Sequence, residues 1–199
     1  MTESDYQHTL WKNGAGVTTD LLIRPTGATH STFDVRVARS PITSEGPFSS
    51  FPGIDRRITL IQGARLELDF GDRISVLYPF EPLAFDSVLA PRSRLTDGAV
   101  EVVNVMTRRG VWTSSVEMLA GPQCRALTTR LDDLLLIYVV RGALKARDCE
   151  GAATIAGGQA LLLGNDAAAD VHASGEFTAI SARLTRQAGA SDEPNQKLG

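Results

Sequence analysis

The chain has 199 residues, 43% of them hydrophobic and 22% charged, with a net charge of -3 at neutral pH. That length carries one large domain or two small ones in contact, with ample core. The acidic balance and the lack of any basic block argue against a nucleic-acid partner, and no run of eighteen apolar residues marks a membrane span. The polar, acidic start Met1-Thr-Glu-Ser-Asp5 lacks the basic and apolar regions of a signal peptide, so cytoplasmic residence is the expectation.

In chain order, residues 1–10 read as an extended lead-in. The next run, Trp11-Lys-Asn-Gly-Ala-Gly-Val-Thr-Thr-Asp20, is glycine-rich but lacks the lysine-serine ending of a phosphate loop, and no helical period follows it. Trp11 and Asn13 suit a pocket wall and a hydrogen-bonding amide, or equally a core tryptophan and a turn asparagine. Residues 21–24 form a short strand that ends at Pro25. Residues 33–39 alternate, with Phe33, Val35 and Val37 on one face and Asp34, Arg36 and Ala38 on the other. In a barrel the Arg36 face lines a cavity; in a plain sandwich it meets solvent.

The stretch from Glu45 to Gly63 organises the rest. It opens as a loop broken by Gly46, Pro47, Pro52 and Gly53 and then becomes a strand through Ile58, Leu60 and Ile61. The loop sets Phe48 and Phe51 beside Arg56 and Arg57. An arginine at a strand mouth between aromatic walls suits an anionic ligand, which its planar fork can grip bidentately; pairing with Asp55 is the bland alternative. Strands follow at residues 64–70 and 73–85, where Pro79 and Pro82 confine the chain to strand ends or edges. Residues 100–108 read as a strand with Asn104, Met106 and Arg108 on one face and Val103, Val105 and Thr107 on the other. Another strand runs over 111–118, and Gly121-Pro122 marks a linker. The second half repeats the style with strands in 134–147, 155–163 and 176–184, and a polar tail over 187–199 reads as disordered. Short strands with frequent turns and no sustained helical period give an all-β fold.

The two halves overlay. Gly63 and Gly142 each sit between two strands, 79 residues apart (142 minus 63), and Thr107 and Thr185 each end a late strand, 78 apart (185 minus 107). The agreement suggests a duplicated β unit. Under this overlay Arg56 corresponds to Leu135 and Asn104 to Ala182, so the leading copy keeps polar groups where the trailing copy has hydrocarbon. A buried polar group without a partner costs roughly 1–3 kcal/mol. The ligand site is therefore expected in the leading copy, with the trailing copy filled and structural. The expected division is 1–120 for the leading barrel and 121–186 for the trailing one.

Cys124 and Cys149 are too few for a disulfide scaffold and read as free thiols in or near the core. His8, His30 and His172 lie far apart, without the paired imidazoles a metal site wants, so no metal or other cofactor is expected. Ser49 and Ser50 lack a glycine elbow, which argues against a hydrolase triad.

Four motifs then carry a likeness: Trp11 to Asp20, Phe33-Asp-Val-Arg36, Gly46-Pro-Phe-Ser-Ser-Phe-Pro-Gly-Ile-Asp-Arg56, and Asn104-Val-Met-Thr-Arg-Arg-Gly110. In that order they resemble the HutD/Ves family of bacterial cupin-like proteins, most closely over the first 120 residues. Two departures stand out: Ala15 where the family often has glycine, and Val102-Val103 where it often has Asp-Phe. The resemblance implies two tandem cupin-like units (a bicupin) without a metal, associated with histidine utilisation and proposed to bind a small carboxylate such as N-formylglutamate. Carried over by motif, the pocket residues are Trp11, Asn13, Thr18, Arg36 and Arg56, with Asn104 and Met106; Phe48 and Phe51 join Trp11 as walls. The expected function is a binding protein for a small anionic metabolite, with no catalytic residue assigned. A metal-independent isomerase or lyase of small acids is the alternative, and a homodimer formed through an exposed sheet edge is a third reading.

Overall fold

The computed structural model describes residues 1–10, 17–149, 151–164 and 166–189. Ten strands form the leading part: β1 (Gln7–Leu10), β2 (Val17–Arg24), β3 (Val35–Ile42), β4 (Gly46–Pro47), β5 (Ile54–Gln62), β6 (Leu66–Asp69), β7 (Ile74–Leu77), β8 (Leu83–Asp86), β9 (Arg92–Arg94) and β10 (Val100–Arg108). Eight follow: β11 (Trp112–Ala120), β12 (Gln123–Thr128), β13 (Leu134–Arg141), β14 (Ala143–Arg147), β15 (Ala152–Ala156), β16 (Ala160–Gly164), β17 (Ala168–Ala173) and β18 (Thr178–Arg186). Among the described residues no helix is long and apolar enough to cross a membrane.

The sheets show the duplication directly. The leading unit pairs its strands in the orders β1-β2-β3-β10-β5-β8 and β4-β9-β6-β7. The trailing unit pairs them as β11-β18-β13-β16 and β12-β17-β14-β15. Without the β1–β2 hairpin, each order in the first unit maps onto the second by adding eight to every strand number. Even the bulges recur, one between Glu101 and Val102 on the β10–β5 ladder and one between Val139 and Arg141 on the β13–β18 ladder. By its hydrogen bonds β11 belongs to the trailing unit, since it pairs with β18 along its whole length. The expected division after residue 120 assigns this strand to the wrong sheet; the ladders divide at the turn before Trp112.

Gly63 and Gly142 close the matching hairpins in the left-handed region, at φ 109° and 75°. A side chain at Gly63 meets Val100 Cγ1 at 2.6 Å, and one at Gly142 meets the Glu176 carbonyl oxygen at 2.3 Å. Only glycine fits either place.

Alternation decides what each face packs against. Val35, Val37, Val103 and Val105 point away from the leading barrel and pack with Leu136, Ala182 and Leu184 of the trailing unit. Ile58, Leu60, Leu66 and Leu68 fill one end of the leading barrel. Leu135, Ile137, Val139 and Leu144 fill the trailing one. Phe33 departs from the expected alternation. It precedes β3 and turns to the opposite side from Val35, where it packs with Ile54 and Met106. The two cysteines are also misjudged: Cys124 and Cys149 are free but exposed, on a strand of mostly exposed residues and in a turn.

Candidate ligand site

The register of the central strands brings the candidate residues together. Across the leading sheet, Ile23 pairs with Arg36, Arg36 with Met106, Met106 with Arg56, and Arg56 with Phe85. Directly paired residues share a face, so these five line one side in a row. One pleat away runs Asp20, Ala38, Asn104, Ile58 and Leu83. Both rows face into the leading barrel, so Arg36 lies on the cavity side of β3, as a barrel requires.

Arg56 sits deepest in its consequences. It is 4% exposed, and its guanidinium carbon lies 5.4 Å from the Phe48 ring centre, 5.6 Å from Phe51 and 5.7 Å from Phe85. Nη2 donates to the Ser49 carbonyl at 3.2 Å, while Nε has no hydrogen-bond partner. No carboxylate among the described residues pairs with it. Asp55, the neighbour that offered the bland reading, pairs instead with Arg109, 2.6 Å away. Burial, together with the nearby Arg36 charge, pushes the Arg56 guanidinium down to about 10. The rings return part of that cost through cation–π attraction.

Arg36 is different. Its Nε donates to Asp20 Oδ1 at 2.6 Å, and both side chains are buried. Its charge is matched inside the protein, which corrects the expectation that both arginines take a ligand carboxylate. Asp20 is the residue that sequence reasoning missed, although the motif contains it. Its second oxygen, Oδ2, accepts no hydrogen bond. His30 Nε2 stands 3.7 Å from it, beyond hydrogen-bonding reach. Asn104 Oδ1 is likewise buried and unpartnered. The described residues have two further orphaned atoms, Ser87 Oγ and Thr107 Oγ1. Three orphans therefore fall on one face of one sheet.

The remaining candidates scatter by degree. Met106 lies between the two arginines in the row and is 2% exposed. Thr18 sits toward the far end of that face, its hydroxyl 3.1 Å from that of Ser40. Trp11 and Asn13 lie outside the described residues. Next to the row opens a cleft of about 570 Å³ lined by His30, Phe33, Ser50, Phe51, Ile54 and Arg108, among others. Phe51 belongs to both, facing the cleft and touching Arg56, and it stacks edge-on against Phe33 at 5.6 Å. Arg108 is occupied, donating to Asp34 at 2.5 Å and to the Phe33 carbonyl at 2.7 Å.

The trailing unit is not plugged by hydrocarbon alone. Leu135 pairs with Arg183, and Ile137 with Ser181. By register the counterpart of Asn104 is thus Ser181, an offset of 77 (181 minus 104), and not Ala182, which faces the other unit. A hollow of about 50 Å³ remains there, lined by Ser115, Glu117, Arg125, Ser181 and Arg183 among others. Its arginines are engaged: Arg125 pairs with Glu117 at 2.9 Å, and Arg183 donates to the Thr128 carbonyl at 3.0 Å.

Known structures share this architecture. A conserved protein of unknown function from Pseudomonas aeruginosa PAO1 superposes with a TM-score of 0.83 at 20% identity, over 92% of this chain and 96% of that one. HutD from Pseudomonas fluorescens SBW25, solved in a formate condition, gives 0.74 at 24% identity over 94% and 97%. The oxalate decarboxylase–formate complex of Lactobacillus farciminis gives 0.62 at 10% identity over 92% and 84%. At these identities the likeness establishes the two-unit, cupin-like fold. The HutD family model matches residues 3–180, so the chain belongs to the HutD family.

Proposed function

We propose that this chain is a non-catalytic binding protein that holds a small carboxylate in its leading barrel and modulates histidine utilisation through that binding. Family membership supports the type of protein, and N-formylglutamate is the ligand that the family likeness suggests first. One observation carries the reading: Arg56 is a buried cation with an unused Nε donor, three phenyl rings around it and no carboxylate partner among the described residues. A ligand carboxylate supplies the missing charge and the missing acceptor together.

The test is calorimetry and thermal-shift measurement of the full chain with N-formylglutamate, glutamate, urocanate and short mono- and dicarboxylates. At least one is expected to bind and stabilise the fold, and Arg56→Ala is expected to abolish both effects while the chain stays folded. An unchanged affinity in the variant removes Arg56 from the site. His30, which lines the cleft and brings its Nε2 to 3.7 Å from Asp20 Oδ2, is the observation that favours a metal-independent isomerase or lyase instead. Product analysis of the same mixtures decides: turnover of any bound acid replaces the binding reading with the catalytic one.

A further inference from the structure

We infer that Asp20 and Asn104 form an acceptor pair that selects carboxylates carrying a hydrogen-bond donor, an N–H or an O–H, and rejects acids of the same shape without one. The inference rests on the carboxylate reading of Arg56 and names what else the ligand has to bring.

The Asp20–Arg36 pair is neutral as a whole, and Asp20 Oδ1 is taken by Arg36 Nε. The uncompensated positive charge is that of Arg56, so the ligand's carboxylate belongs there. What remains on the same face, among the described residues, is two buried oxygens that accept no hydrogen bond, Asp20 Oδ2, with His30 Nε2 3.7 Å away, and Asn104 Oδ1. An ionised carboxylate has lone pairs only, so these two oxygens cannot satisfy each other, and a second ligand carboxylate near Asp20 is repelled. The pair stands two strands apart, about 10 Å between backbones, with only the methyl group of Ala38 on the strand between them. The residue between the two oxygens is therefore the smallest side chain of that row. Whichever way the Asn104 amide is turned, Asp20 Oδ2 remains an acceptor. An acid without a donor leaves buried acceptors dry, and sites built this way discriminate strongly against the analogue that lacks the group.

Isosteric pairs test this. N-acetylglycine is compared with levulinate, N-acetylglutamate with 2-acetonylglutarate, and 4-hydroxybutyrate with pentanoate; in each pair a methylene or methyl replaces the donor. Calorimetry on the full chain is expected to show the donor-bearing member binding at least about 10-fold tighter in one or more pairs. Asn104→Leu, which leaves the Asp20–Arg36 pair in place, is expected to shrink that preference. Circular dichroism confirms that the variant is folded. Affinities within about threefold in every pair that binds, with binding still lost in Arg56→Ala, overturn the donor requirement and leave the carboxylate reading standing. If none of the six acids binds, nor N-formylglutamate, glutamate, urocanate or the short mono- and dicarboxylates, while the protein is folded and free of carried-over ligand, the carboxylate reading falls and this inference falls with it. A preference that persists at full strength in both Asn104→Leu and Asp20→Asn also overturns the assignment, because the selection then lies elsewhere.

Discussion

Replacing Arg56 by methionine is expected to make the ligand-free protein more stable while destroying the site. The guanidinium is held near 10, well below its ordinary value, first by burial and then by the charge of Arg36. At about 1.4 kcal/mol per tenfold, that gap corresponds to a penalty of about 3 kcal/mol for keeping the cation in the fold. The three rings around it offset about 1–2 kcal/mol through cation–π attraction. Methionine removes the penalty, loses the attraction and keeps apolar volume among the phenyl groups, so a net gain of about 1–2 kcal/mol follows. For a chain of this size that raises the melting temperature by about 2–8 °C. The sign with pH follows from the same shift. Below about 10 the folded guanidinium is charged, so the penalty is present in full between about pH 5 and 8. It fades only as the pH rises through about 10 toward the unfolded value. The difference between variant and wild type is therefore flat across that neutral range. Urea unfolding of dialysed, ligand-free protein at three pH values measures it. If the variant folds but is less stable than wild type by more than about 1 kcal/mol, Arg56 is holding the Ser49 loop in place. Arg56 is then a structural residue and not one that waits for a ligand.

Other perturbations separate the neighbouring parts. Asp20→Ala leaves Arg36 buried without its partner beside a second arginine, and urea unfolding should show a loss of about 3–5 kcal/mol; the double replacement Asp20→Leu with Arg36→Met should recover most of it. Gly142→Ala puts a methyl 2.3 Å from a backbone oxygen at positive φ, whereas Gly98, at φ 92°, faces open space. The first should cost at least about 2 kcal/mol and the second about 1 kcal/mol in thermal unfolding. Tyr6 is pushed up to about 12 by burial and by Tyr138, and burial raises Tyr138 as well, so an ultraviolet titration should show two phenols ionising late. Because the folded chain holds the Tyr6 proton more tightly, the Tyr6 contribution is complete below about pH 10 and is lost as the pH climbs from about 10 to 12. Tyr6→Phe should remove that part of the alkaline slope.

The site was half legible in the sequence, and the reason lies in the bulges. Strand β10 could be read with both its ends, because valine alternates there with Asn104 and Met106, and the faces so assigned are those found. Arg56 was legible because two of its three rings, Phe48 and Phe51, lie in the loop just before it. Phe85 reaches it only through the β5–β8 ladder. The weak strands β12 and β17 have little β-branched content and gave no signal of their own.

Asp20 was hidden by a change of phase. Counting back by twos from Ile23, which lies in the Arg36 row, puts Leu21 on the cavity face and Asp20 on the other. The register slips between Asp20 and Leu22, and the extra residue returns Asp20 to the cavity side, opposite Ala38. A strand's faces hold only between bulges, since one inserted residue exchanges every side chain beyond it. The same arithmetic undid the overlay of Asn104 on Ala182. The matching Thr-Arg pairs suggested an offset of 78, but the ladders set Ile58 opposite Asn104 and Ile137 opposite Ser181, an offset of 77. One residue of error carried the comparison from the ligand face to the seam between the units. There a small residue such as Ala182 is demanded by packing and says nothing about ligands. Corrected, the comparison sharpens the functional contrast. Both units keep a polar residue at this level. In the trailing unit the arginines are already engaged by Glu117 and by a backbone carbonyl. In the leading unit Arg56 is buried, and among the described residues it meets phenyl rings and a single carbonyl but no carboxylate; this missing counter-charge is what the proposed acid ligand would supply.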